Sequence, residues 1–228
     1  MMESPVRFVT NRAIKQIINQ YCPKTNAFIL DIGCGGGYHN YFRVEGVKGR
    51  YLGIDIKENN WYKQETQVNG LKVSFKIHDA EFLERLTKKF NFICSFQSLE
   101  HIKDDKKTMK GMNALLMEKG HILITVPSKY SYFLYGPQHG YRRYSISNIE
   151  ELASQNDLVV EKLMKLGGIG TFVLHLVLWT IPSSIFKLKI YKHFRLTGFI
   201  LKLENFATKV DKYVPCLEGG YAVVLKEK

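Results

Sequence analysis

The sequence lacks the paired cysteines that form disulfide frameworks and zinc sites. Its four cysteines are scattered along 228 residues and include no C-x-x-C pair. These are Cys22, Cys34, Cys94 and Cys216. Scattered thiols are typical of a reducing compartment, so we expect a cytoplasmic protein without structural disulfides. Beyond the adjacent Glu100 and His101, the histidines and acidic residues show no metal-ligand spacing, and no metal is expected.

The sequence is also short of long apolar segments and of acidic residues. Residues 1–7 have no apolar core of the kind that a signal peptide needs. The apolar stretch Ile169–Pro182 is shorter than the ~20 residues that span a bilayer. Only 21 Asp and Glu stand against 33 Lys and Arg, which gives a formal net charge of +12. That excess favours an anionic partner, whether an acidic substrate, a nucleic acid or a membrane surface, and does not choose among them.

What the sequence does contain is a short apolar strand that runs into a glycine-rich loop. Residues Ile29–Gly37 read Ile-Leu-Asp-Ile-Gly-Cys-Gly-Gly-Gly, with four glycines in five positions. Such a loop can bend sharply and expose backbone N–H groups to a ligand. The dinucleotide pattern G-x-G-x-x-G fails in both registers, because Tyr38 or Asn40 stands where the third glycine is needed. The Gly-Lys-Ser/Thr end of a P-loop is absent as well.

The spacing that fits the loop is D-x-G-x-G-x-G, with Asp31, Gly33, Gly35 and Gly37 in register. The loop resembles the S-adenosylmethionine loop of the class I methyltransferases. Because this cofactor has no phosphate, its loop must bind a zwitterionic methionine tail. The carboxylate of Asp31 can bind the tail ammonium directly or through water, glycine N–H groups can face the tail carboxylate, and Cys34 contributes its backbone. The alternative is an ordinary turn between a strand and a helix.

Strands and helices alternate along most of the chain. Strands are predicted at Ala27–Ile32, Arg50–Ile56, Leu71–His78, Phe90–Phe96, His121–Val126, Leu158–Leu166 and Tyr221–Leu225. Helices are predicted at Asn11–Tyr21, Glu81–Lys89, Lys103–Met117 and Ser147–Gln155, with Gly120 as a C-cap and Ser147 as an N-cap. The alternation predicts an α/β fold with a doubly wound, mostly parallel sheet and helices on both faces. We expect one domain over residues 1–228, with a mostly helical insert at about 167–215.

In such a sheet the ligand binds at the carboxyl ends of the strands, so the residues there are the candidate site. Asp55 ends the second strand, where a carboxylate can accept two hydrogen bonds from a ribose diol; a turn-forming role is the alternative. Asp79 follows the third strand, where it can accept from the adenine amine or cap the next helix. The residues predicted to bind the cofactor are Asp31, Gly33, Cys34, Gly35, Gly37, Asp55, Ile56, Asp79, Ala80, Phe96, Gln97 and Glu100.

Three further motifs extend the resemblance along the chain. Leu99–Ile102 matches the L-E-H-hydrophobic signature after strand four of small class I methyltransferases, and Gly120–Pro127 matches their fifth strand. His139–Ser145, followed by Ile149–Leu152, is similar to their H-x-x-R-x-[YF]-[ST] segment and its helix. The chain thus resembles the group that includes the ubiquinone and menaquinone biosynthesis methyltransferases. The resemblance implies a Rossmann-like, seven-stranded sheet with an antiparallel last strand. Asn91 departs from the group, which usually has Asp at this typically structural position.

The resemblance implies methyl transfer from S-adenosylmethionine by in-line displacement, which leaves S-adenosylhomocysteine. If the acceptor is a hydroxyl, a general base removes its proton. His101 and His139 are the catalytic candidates, because an unperturbed imidazole titrates near neutrality; His101 could instead orient Glu100. The residues predicted to bind the acceptor are Tyr135, Arg142, Arg143 and Tyr144, although the two arginines could equally bind carboxylates on the protein surface.

The stretch 169–213 combines apolar residues with many lysines. We expect a helical lid over the acceptor pocket, a contact with an anionic membrane surface, or both, which would make the protein cytoplasmic or peripherally membrane-bound. Either suits a small-molecule, lipid-linked or glycan acceptor, with O-methylation expected. Two alternatives stay open: an RNA (tRNA) methyltransferase, and a non-catalytic partner protein with this fold. Nucleic acid is disfavoured, because no RNA-binding module and no Asn/Asp-Pro-Pro-Tyr/Phe motif is present.

Overall fold

The computed structural model describes residues 4–35, 39–58, 66–135, 140–181 and 197–228. These residues contribute eight strands to one sheet. The strands are β1 (Ala27–Ile32), β2 (Gly49–Asp55), β3 (Thr66–Val68), β4 (Leu71–Ile77), β5 (Phe90–Phe96), β6 (Leu116–Pro127), β7 (Leu158–Leu166) and β8 (Gly220–Glu227). Their order across the sheet is β3-β4-β2-β1-β5-β6-β8-β7.

The sheet confirms the predicted doubly wound plan. All seven predicted strands are present, and the last strand, β8, is antiparallel to both of its neighbours, β6 and β7. The pairs β1–β2, β1–β5, β2–β4 and β5–β6 are parallel. The additional strand β3 has three residues and pairs with β4 at the edge of the sheet. A strand this short has too few alternating positions to be recognised by periodicity.

The order of the strands reverses at β1. From there, β2 and β4 extend to one side of the sheet, and β5 and β6 extend to the other. Helices that connect such strands lie on opposite faces, which leaves a crevice at the carboxyl ends of β1, β2 and β5. The glycine-rich loop leaves β1 at this crevice.

Among the described residues, seven α-helices surround the sheet. They are α1 (Pro5–Tyr21), α2 (His39–Val44), α3 (Asp105–Leu115), α4 (Tyr132–Tyr135), α5 (Ile146–Ser154), α6 (Ile169–His175) and α7 (Thr197–Tyr213). Short 3₁₀ helices lie at Ala80–Arg85, Leu99–His101 and Lys129–Ser131, and a π-helical turn at Leu176–Thr180 follows α6. The sheet has one core cluster on each face, which confirms that helices cover both. Alternation within β1 shows why: Leu30 faces the cluster with Met112 of α3, and Ile29 faces the one with Ile14 of α1.

All four predicted helices differ in their bounds. Those predicted at Lys103–Met117 and Ser147–Gln155 correspond to α3 and α5 and differ by one or two residues at each end, and the other two differ more. The first helix begins at Pro5, six residues before the predicted Asn11, because Ser4 caps it by accepting from the backbone N–H of Arg7. Proline suits the first turn of a helix, where its missing N–H would have no intrahelical partner. The predicted helix Glu81–Lys89 is instead the 3₁₀ helix Ala80–Arg85.

Two predicted caps are wrong. Ser145, and not Ser147, caps α5: its Oγ accepts from Asn148 N at 3.2 Å, while Asn148 Oδ1 accepts from Ser145 N at 3.2 Å. This reciprocal pair satisfies two backbone N–H groups at once. Ser147, two residues further on, already lies inside the first turn of α5. Gly120 does not cap α3, which ends at Leu115; it lies inside β6, which begins earlier than expected.

The departure at Asn91 is structural, as predicted. Its Oδ1 accepts from the backbone N–H of Phe28 at 2.9 Å, and its Nδ2 donates to the carbonyl of Asn26 at 3.0 Å. One side chain therefore joins β5 to the start of β1. The amide serves both bonds, whereas an ionised aspartate could only accept.

The predicted insert is helical in the part that the structure describes. A small apolar cluster of Val6, Leu134 and Phe172 joins α1, α4 and α6. Asp211 of α7 accepts hydrogen bonds from both the backbone N–H and the hydroxyl of Thr171, in the first turn of α6. Within the described residues, none of the helices has the length and apolarity needed to cross a membrane.

Candidate active site

The glycine loop is fastened to the neighbouring strand. The backbone N–H groups of Gly33 and Cys34 both donate to the carbonyl of Ile54 in β2, at 2.9 and 3.1 Å. The Cys34 side chain is fully buried. A Cβ on Gly53 of β2 would lie 2.8 Å from its sulfur, so the loop packs closely over β2. Cys34 is thus placed as expected, with its backbone in the loop and its thiol in the interior.

Gly33 and Gly35 are required for different reasons. Both have positive φ, +69° and +49°. A Cβ on Gly33 would lie 2.3 Å from Oγ of Ser98, two residues after the end of β5, whose hydroxyl donates to the Gly33 carbonyl. A Cβ on Gly35 would meet none of the described atoms within 4 Å. Gly33 is therefore a packing position, while Gly35 borders open space that a ligand can occupy. Gly37 lies outside the described residues.

Asp55 holds the loop as well as ending β2. Its Oδ2 accepts from the backbone N–H of Gly35 at 3.0 Å, and its Oδ1 accepts from that of Lys57 at 3.2 Å. The expectation that glycine N–H groups face the methionine tail therefore does not hold for Gly35. The reason is the pairing of β1 with β2, which brings the end of β2 against the loop.

Asp31 is a fully buried carboxyl group at the end of β1. The hydroxyl of Tyr51 in β2 donates to its Oδ2, and its Oδ1 has no hydrogen-bond partner among the described residues. Burial raises the pKa of Asp31 to about 7. An unpaired buried carboxylate oxygen is costly unless a donor or cation reaches it, so this group fits the ammonium of an S-adenosylmethionine tail. Tyr51 carries no signal for this role in the sequence.

Three predicted residues lie beyond β2 and β4. Ile56 is 64% exposed, whereas Ala80 is buried. Asp79 is exposed, and its Oδ1 accepts from the backbone N–H of Glu81 at 2.9 Å. The capping alternative for Asp79 is thereby confirmed, and its contact with adenine stays a prediction.

Two predicted residues at the end of β5 are positioned differently from each other. The Phe96 ring is buried in the core, with its centroid 5.9 Å from that of Tyr41 and 6.5 Å from that of Phe42. The Phe96 side chain is therefore directed into the sheet face covered by α2, and its contact with the cofactor stays a prediction. Gln97 has an exposed side chain and a positive φ, and its N–H donates to the carbonyl and hydroxyl of Thr125.

Glu100 and His101 lie together in the 3₁₀ helix after β5. Glu100 is 3% exposed, and its Oε2 has no hydrogen-bond partner among the residues that the structure describes. Burial raises the pKa of Glu100 to about 7, although the nearby charge of Arg143 opposes the rise. The His101 side chain is 52% exposed, with Nε2 4.0 Å from Oε1 of Glu100. The buried member of the pair is therefore the carboxyl group.

Two of the predicted acceptor-binding residues serve the protein itself. Arg142 forms an ion pair of 2.9 Å with Asp105 and donates to the carbonyls of Ile102 and Lys103. The buried Tyr144 donates to the other oxygen of Asp105 at 3.0 Å, and burial raises its pKa. Asp105 at the start of α3 thus binds both side chains, and their contact with an acceptor stays a prediction. In the sequence, Asp105 is recognisable only as an acidic residue in the first turn of a helix, where it stabilises the helix dipole. That pattern does not indicate that Asp105 binds Arg142 and Tyr144.

The segment that follows the undescribed residues 136–139 lies against Glu100. The N–H of Tyr141 donates to the Glu100 carbonyl at 2.7 Å, and a Cβ on Gly140 would lie 2.7 Å from that oxygen. Arg143 donates to the carbonyl of Arg142 at 3.0 Å. His139 lies outside the described residues, as does the side chain of Tyr135, the last residue of α4.

No cluster of three His, Cys, Asp or Glu able to hold a metal ion occurs among the described residues. The described site thus consists of a glycine loop, two buried carboxyl groups with a free oxygen each, and the carboxylate of Asp55, all at one strand-end crevice. Fold and site together define a class I methyltransferase.

The family follows from comparison with known proteins. The family model described as "Methyltransferase domain" matches residues 7–163, and the chain belongs to this family. It is an S-adenosylmethionine-dependent methyltransferase, which favours an enzyme over the non-catalytic partner protein.

Curated relatives are distant. The ubiquinone biosynthesis O-methyltransferase of Pelagibacter ubique (strain HTCC1062) is 26% identical over 177 residues, which cover 69% of this chain and 73% of that protein. The protein of the same name from Coxiella burnetii (strain RSA 493 / Nine Mile phase I) is 27% identical over 139 residues, which cover 58% of this chain and 56% of that protein.

Solved structures share the fold. The Burkholderia thailandensis 1,6-didemethyltoxoflavin-N1-methyltransferase, with 1,6-didemethyltoxoflavin and S-adenosylhomocysteine bound, gives a TM-score of 0.60 at 16% identity and covers 99% of this chain and 79% of that one. The Haemonchus contortus phosphoethanolamine N-methyltransferase 2, in complex with S-adenosyl-L-methionine, gives a TM-score of 0.59 at 22% identity. It covers 96% of this chain and 52% of that one.

Proposed function

We propose that this methyltransferase methylates a hydroxyl group on a small-molecule, lipid-linked or glycan acceptor. The observation that carries the proposal is the Glu100–His101 pair, a buried carboxyl group with a free oxygen beside an exposed imidazole at the end of β5. A hydroxyl acceptor must lose its proton during transfer, and this pair provides a proton acceptor at the crevice. The names of the two ubiquinone biosynthesis O-methyltransferases agree with this chemistry.

The cofactor would be held by residues of three strand ends. Asp31 would bind the tail ammonium, Asp55 the ribose hydroxyls, and Asp79 with Ala80 the adenine. When bound, S-adenosylmethionine supplies an electrophilic methyl group on its sulfonium. Gly35 leaves room beside the loop, since no described atom lies within 4 Å of the position of its missing Cβ.

The protein's own contribution is alignment and proton transfer. His101 would accept the hydroxyl proton, and Glu100 would stabilise the imidazolium that forms 4.0 Å away. The pKa of Glu100, raised to about 7 by burial, makes this carboxyl group an effective partner only at neutral pH and above, where it is ionised.

The acceptor would bind between α4, the segment after residue 139 and the helical insert. Tyr132 and Phe133 of α4 and Tyr141 expose large aromatic surfaces there, from 50 to 67% of each side chain. The apolar cluster Val6–Leu134–Phe172 fixes α6 beside α4, so the insert would serve as a lid over an apolar acceptor.

The test measures cofactor binding and methyl transfer separately. Calorimetry should show that wild type and His101→Ala bind S-adenosylmethionine with similar affinity. Transfer of labelled methyl from the cofactor to solvent-extracted cellular lipids and small molecules should fall ~10²-fold or more in His101→Ala and Glu100→Gln, the scale of a lost general base. Alkali-stable label would identify ethers, the expected product, rather than esters.

A matched control is available in β6, where His121 forms another His–Glu pair with Glu161 at 3.1 Å. His121→Ala should leave both readouts unchanged. Full turnover in His101→Ala would remove His101 as the base, and absence of cofactor binding in the wild type would refute the proposal as a whole.

A second candidate is methylation of tRNA. It is favoured by the net charge of +12 and by the tRNA U34 carboxymethyltransferase of Aliarcobacter butzleri (strain RM4018), which is 29% identical over 110 residues covering 47% of this chain and 36% of that protein. Label transferred to tRNA, together with a steep loss of tRNA affinity in rising salt, would replace the first proposal by this one.

A further inference from the structure

Helix α7 separates its charges in a way that the sequence alone does not show. Its two acidic residues, Glu204 and Asp211, are 5% and 9% exposed and face the protein. Its lysines, Lys202, Lys209 and Lys212, are all exposed. The described outer surface of α7 is therefore cationic, with no exposed carboxylate to neutralise it.

Aromatic side chains lie on the same outer surface. Lys202, Phe206, Lys209 and Tyr213 follow one another at intervals of four, three and four residues, which places them in one row along the helix. Phe206 is 66% exposed and Tyr213 is 86% exposed. Leaving two aromatic rings in water is unfavourable for an isolated domain, and their alternation with lysines is typical of helices that lie in a membrane interface.

A cleft borders this row. It lies between α1, the end of β7 and α7, and has a volume of about 680 Å³, within the usual range of ligand pockets. Arg12, Lys165, Lys209 and Lys212 line it, and Asp211 is the only acidic residue among the described lining residues. Both oxygens of Asp211 already accept from Thr171, so the carboxylate is directed toward α6. Lys165 is held at the cleft by a bond of 3.1 Å to the Pro215 carbonyl and by an ion pair of 3.8 Å with the buried Glu218, so Arg12, Lys209 and Lys212 supply most of the positive charge of the cleft.

We propose that the outer surface of α7 docks on a bilayer containing anionic phospholipid, with a lipid phosphate in the cleft between α1 and α7. The aromatic row would enter the interface while the lysine side chains extend toward the headgroups. This inference specifies a partner of the proposed enzyme and does not depend on which acceptor is methylated.

The bilayer is favoured over other anions by the aromatic row. A free phosphate would need only the cleft, and an RNA would need cations without two exposed rings at the intervals of a helix face. The cleft also lies at β7, four strands from β1 in the order of the sheet, or ~19 Å at the usual strand spacing. A headgroup there would hold the enzyme on the surface without blocking the glycine loop.

The test is co-sedimentation of the full chain with vesicles, without cofactor or acceptor. We expect binding to vesicles of mixed phosphatidylcholine and phosphatidylglycerol, weakened by salt, and little binding to phosphatidylcholine alone. The double variant Lys209→Glu/Lys212→Glu should reduce partition at least about tenfold, because each lysine near an anionic surface contributes substantially. Phe206→Ser/Tyr213→Ser should reduce the binding that persists at high salt.

The matched control is Lys106→Glu/Lys110→Glu, an equal charge change on the exposed side of α3, which should bind vesicles like the wild type. Calorimetry with S-adenosylmethionine should be unchanged in every variant, which separates failure of this inference from failure of the proposed function. If Lys106→Glu/Lys110→Glu lost as much vesicle binding as Lys209→Glu/Lys212→Glu, the assignment of the docking surface to α7 would be overturned. Complete displacement by soluble glycerol phosphate, or lysine-dependent binding of tRNA without binding to vesicles, would overturn it as well.

Discussion

The backbone N–H of Gly35 lies 3.0 Å from Oδ2 of Asp55 and donates a hydrogen bond to it. The bond joins the loop after β1 to the end of β2, so the residue proposed to bind the ribose also shapes the loop beside the methionine tail. Since this acceptor is a carboxylate, the bond is stronger than one between neutral groups.

Replacing Asp55 by Ala should therefore weaken cofactor binding through both the lost ribose contacts and the loosened loop. Loss of ~3 kcal/mol, the scale for hydrogen bonds to a charged group, corresponds to about a hundredfold rise in Kd. Calorimetric titration with S-adenosylmethionine measures this directly. Glu118→Ala, which removes an exposed carboxylate at the far end of β6, should leave Kd unchanged. An unaltered Kd in Asp55→Ala would contradict the ribose assignment.

The two described glycines of the loop should respond oppositely to a side chain. Gly35→Val should preserve most of the fold, because its Cβ meets no described atom within 4 Å, yet it should abolish cofactor binding by filling the open space. Some strain remains, about 1–2 kcal/mol for a non-glycine residue in the left-handed region. Thermal unfolding and calorimetry on the same sample separate the two effects.

Gly33→Ala should instead destabilise the fold, because its Cβ would lie 2.3 Å from Ser98 Oγ. The second change Ser98→Gly should restore part of the lost melting temperature, and only the backbone strain should persist. If Gly35→Val unfolded the protein while Gly33→Ala did not, the roles assigned to the two positions would be reversed.

Stability should fall as pH rises from acid to neutral. Burial raises the pKa of Asp31 from 3.8 to about 7 and that of Glu100 from 4.5 to about 7. Each group binds its proton more tightly when folded, so the folded chain holds more protons between about pH 4 and 7, and the free energy of unfolding decreases with pH there. Urea unfolding across this range measures the slope.

Asp31→Asn and Glu100→Gln cannot ionise and should each flatten that slope. Each variant should therefore gain stability relative to the parent at neutral pH and lose that advantage in acid. Glu118→Gln, which removes an exposed carboxylate, is the control: its free energy of unfolding should change with pH as that of the wild type does. If the stability of both buried variants changed with pH as that of the wild type does, neither carboxyl group would have a raised pKa in the folded chain.

Asp105 should couple Arg142 to Tyr144. Its two oxygens bind these side chains separately, at 2.9 and 3.0 Å, and so attach the segment after residue 139 to α3. Tyr144→Phe should reduce the free energy of unfolding by about 1–2 kcal/mol, because a buried partner of a carboxylate is lost. Arg142→Ala should reduce it less, since its guanidinium is partly solvated.

A double-mutant cycle tests the coupling. In an Asp105→Ala background, Tyr144→Phe should have an effect at least ~0.5 kcal/mol smaller than in the wild type, because the shared partner is already absent. Lys106→Ala, at the next and exposed position, should be additive with Tyr144→Phe. Full additivity at Asp105 would mean that the hydroxyl is stabilised by another group.

The bounds of helices and strands were predictable where the local pattern of apolar and polar residues determines them. The bounds of Ala27–Ile32, Phe90–Phe96 and Leu158–Leu166 were right to the residue, since apolar runs are flanked by polar or glycine residues there. The cap of α5 was missed because Ser145 and Ser147 offer competing caps. The start of α1 was missed because its cap, Ser4, lies seven residues before the predicted start at Asn11. The strand β3 is defined by its pairing with β4 and has no pattern of its own.

The sequence by itself determined the cofactor class and the fold. Glycine spacing, an aspartate at the ends of β1, β2 and β4, and the alternation of strands with helices are local properties. The glycine spacing excludes phosphate loops without reference to packing. It also determined that an anionic partner is expected, because net charge is independent of conformation.

Only the tertiary structure decided which polar groups are available to a ligand. Arg142 and Tyr144 are bound by Asp105, Phe96 is in the core, and Asp31 and Glu100 each keep a free oxygen in a buried place. In α7 it turned both acidic residues inward and left the lysines outside. The physical reason is that burial and hydrogen bonding depend on residues far apart in the chain, which no local spacing encodes.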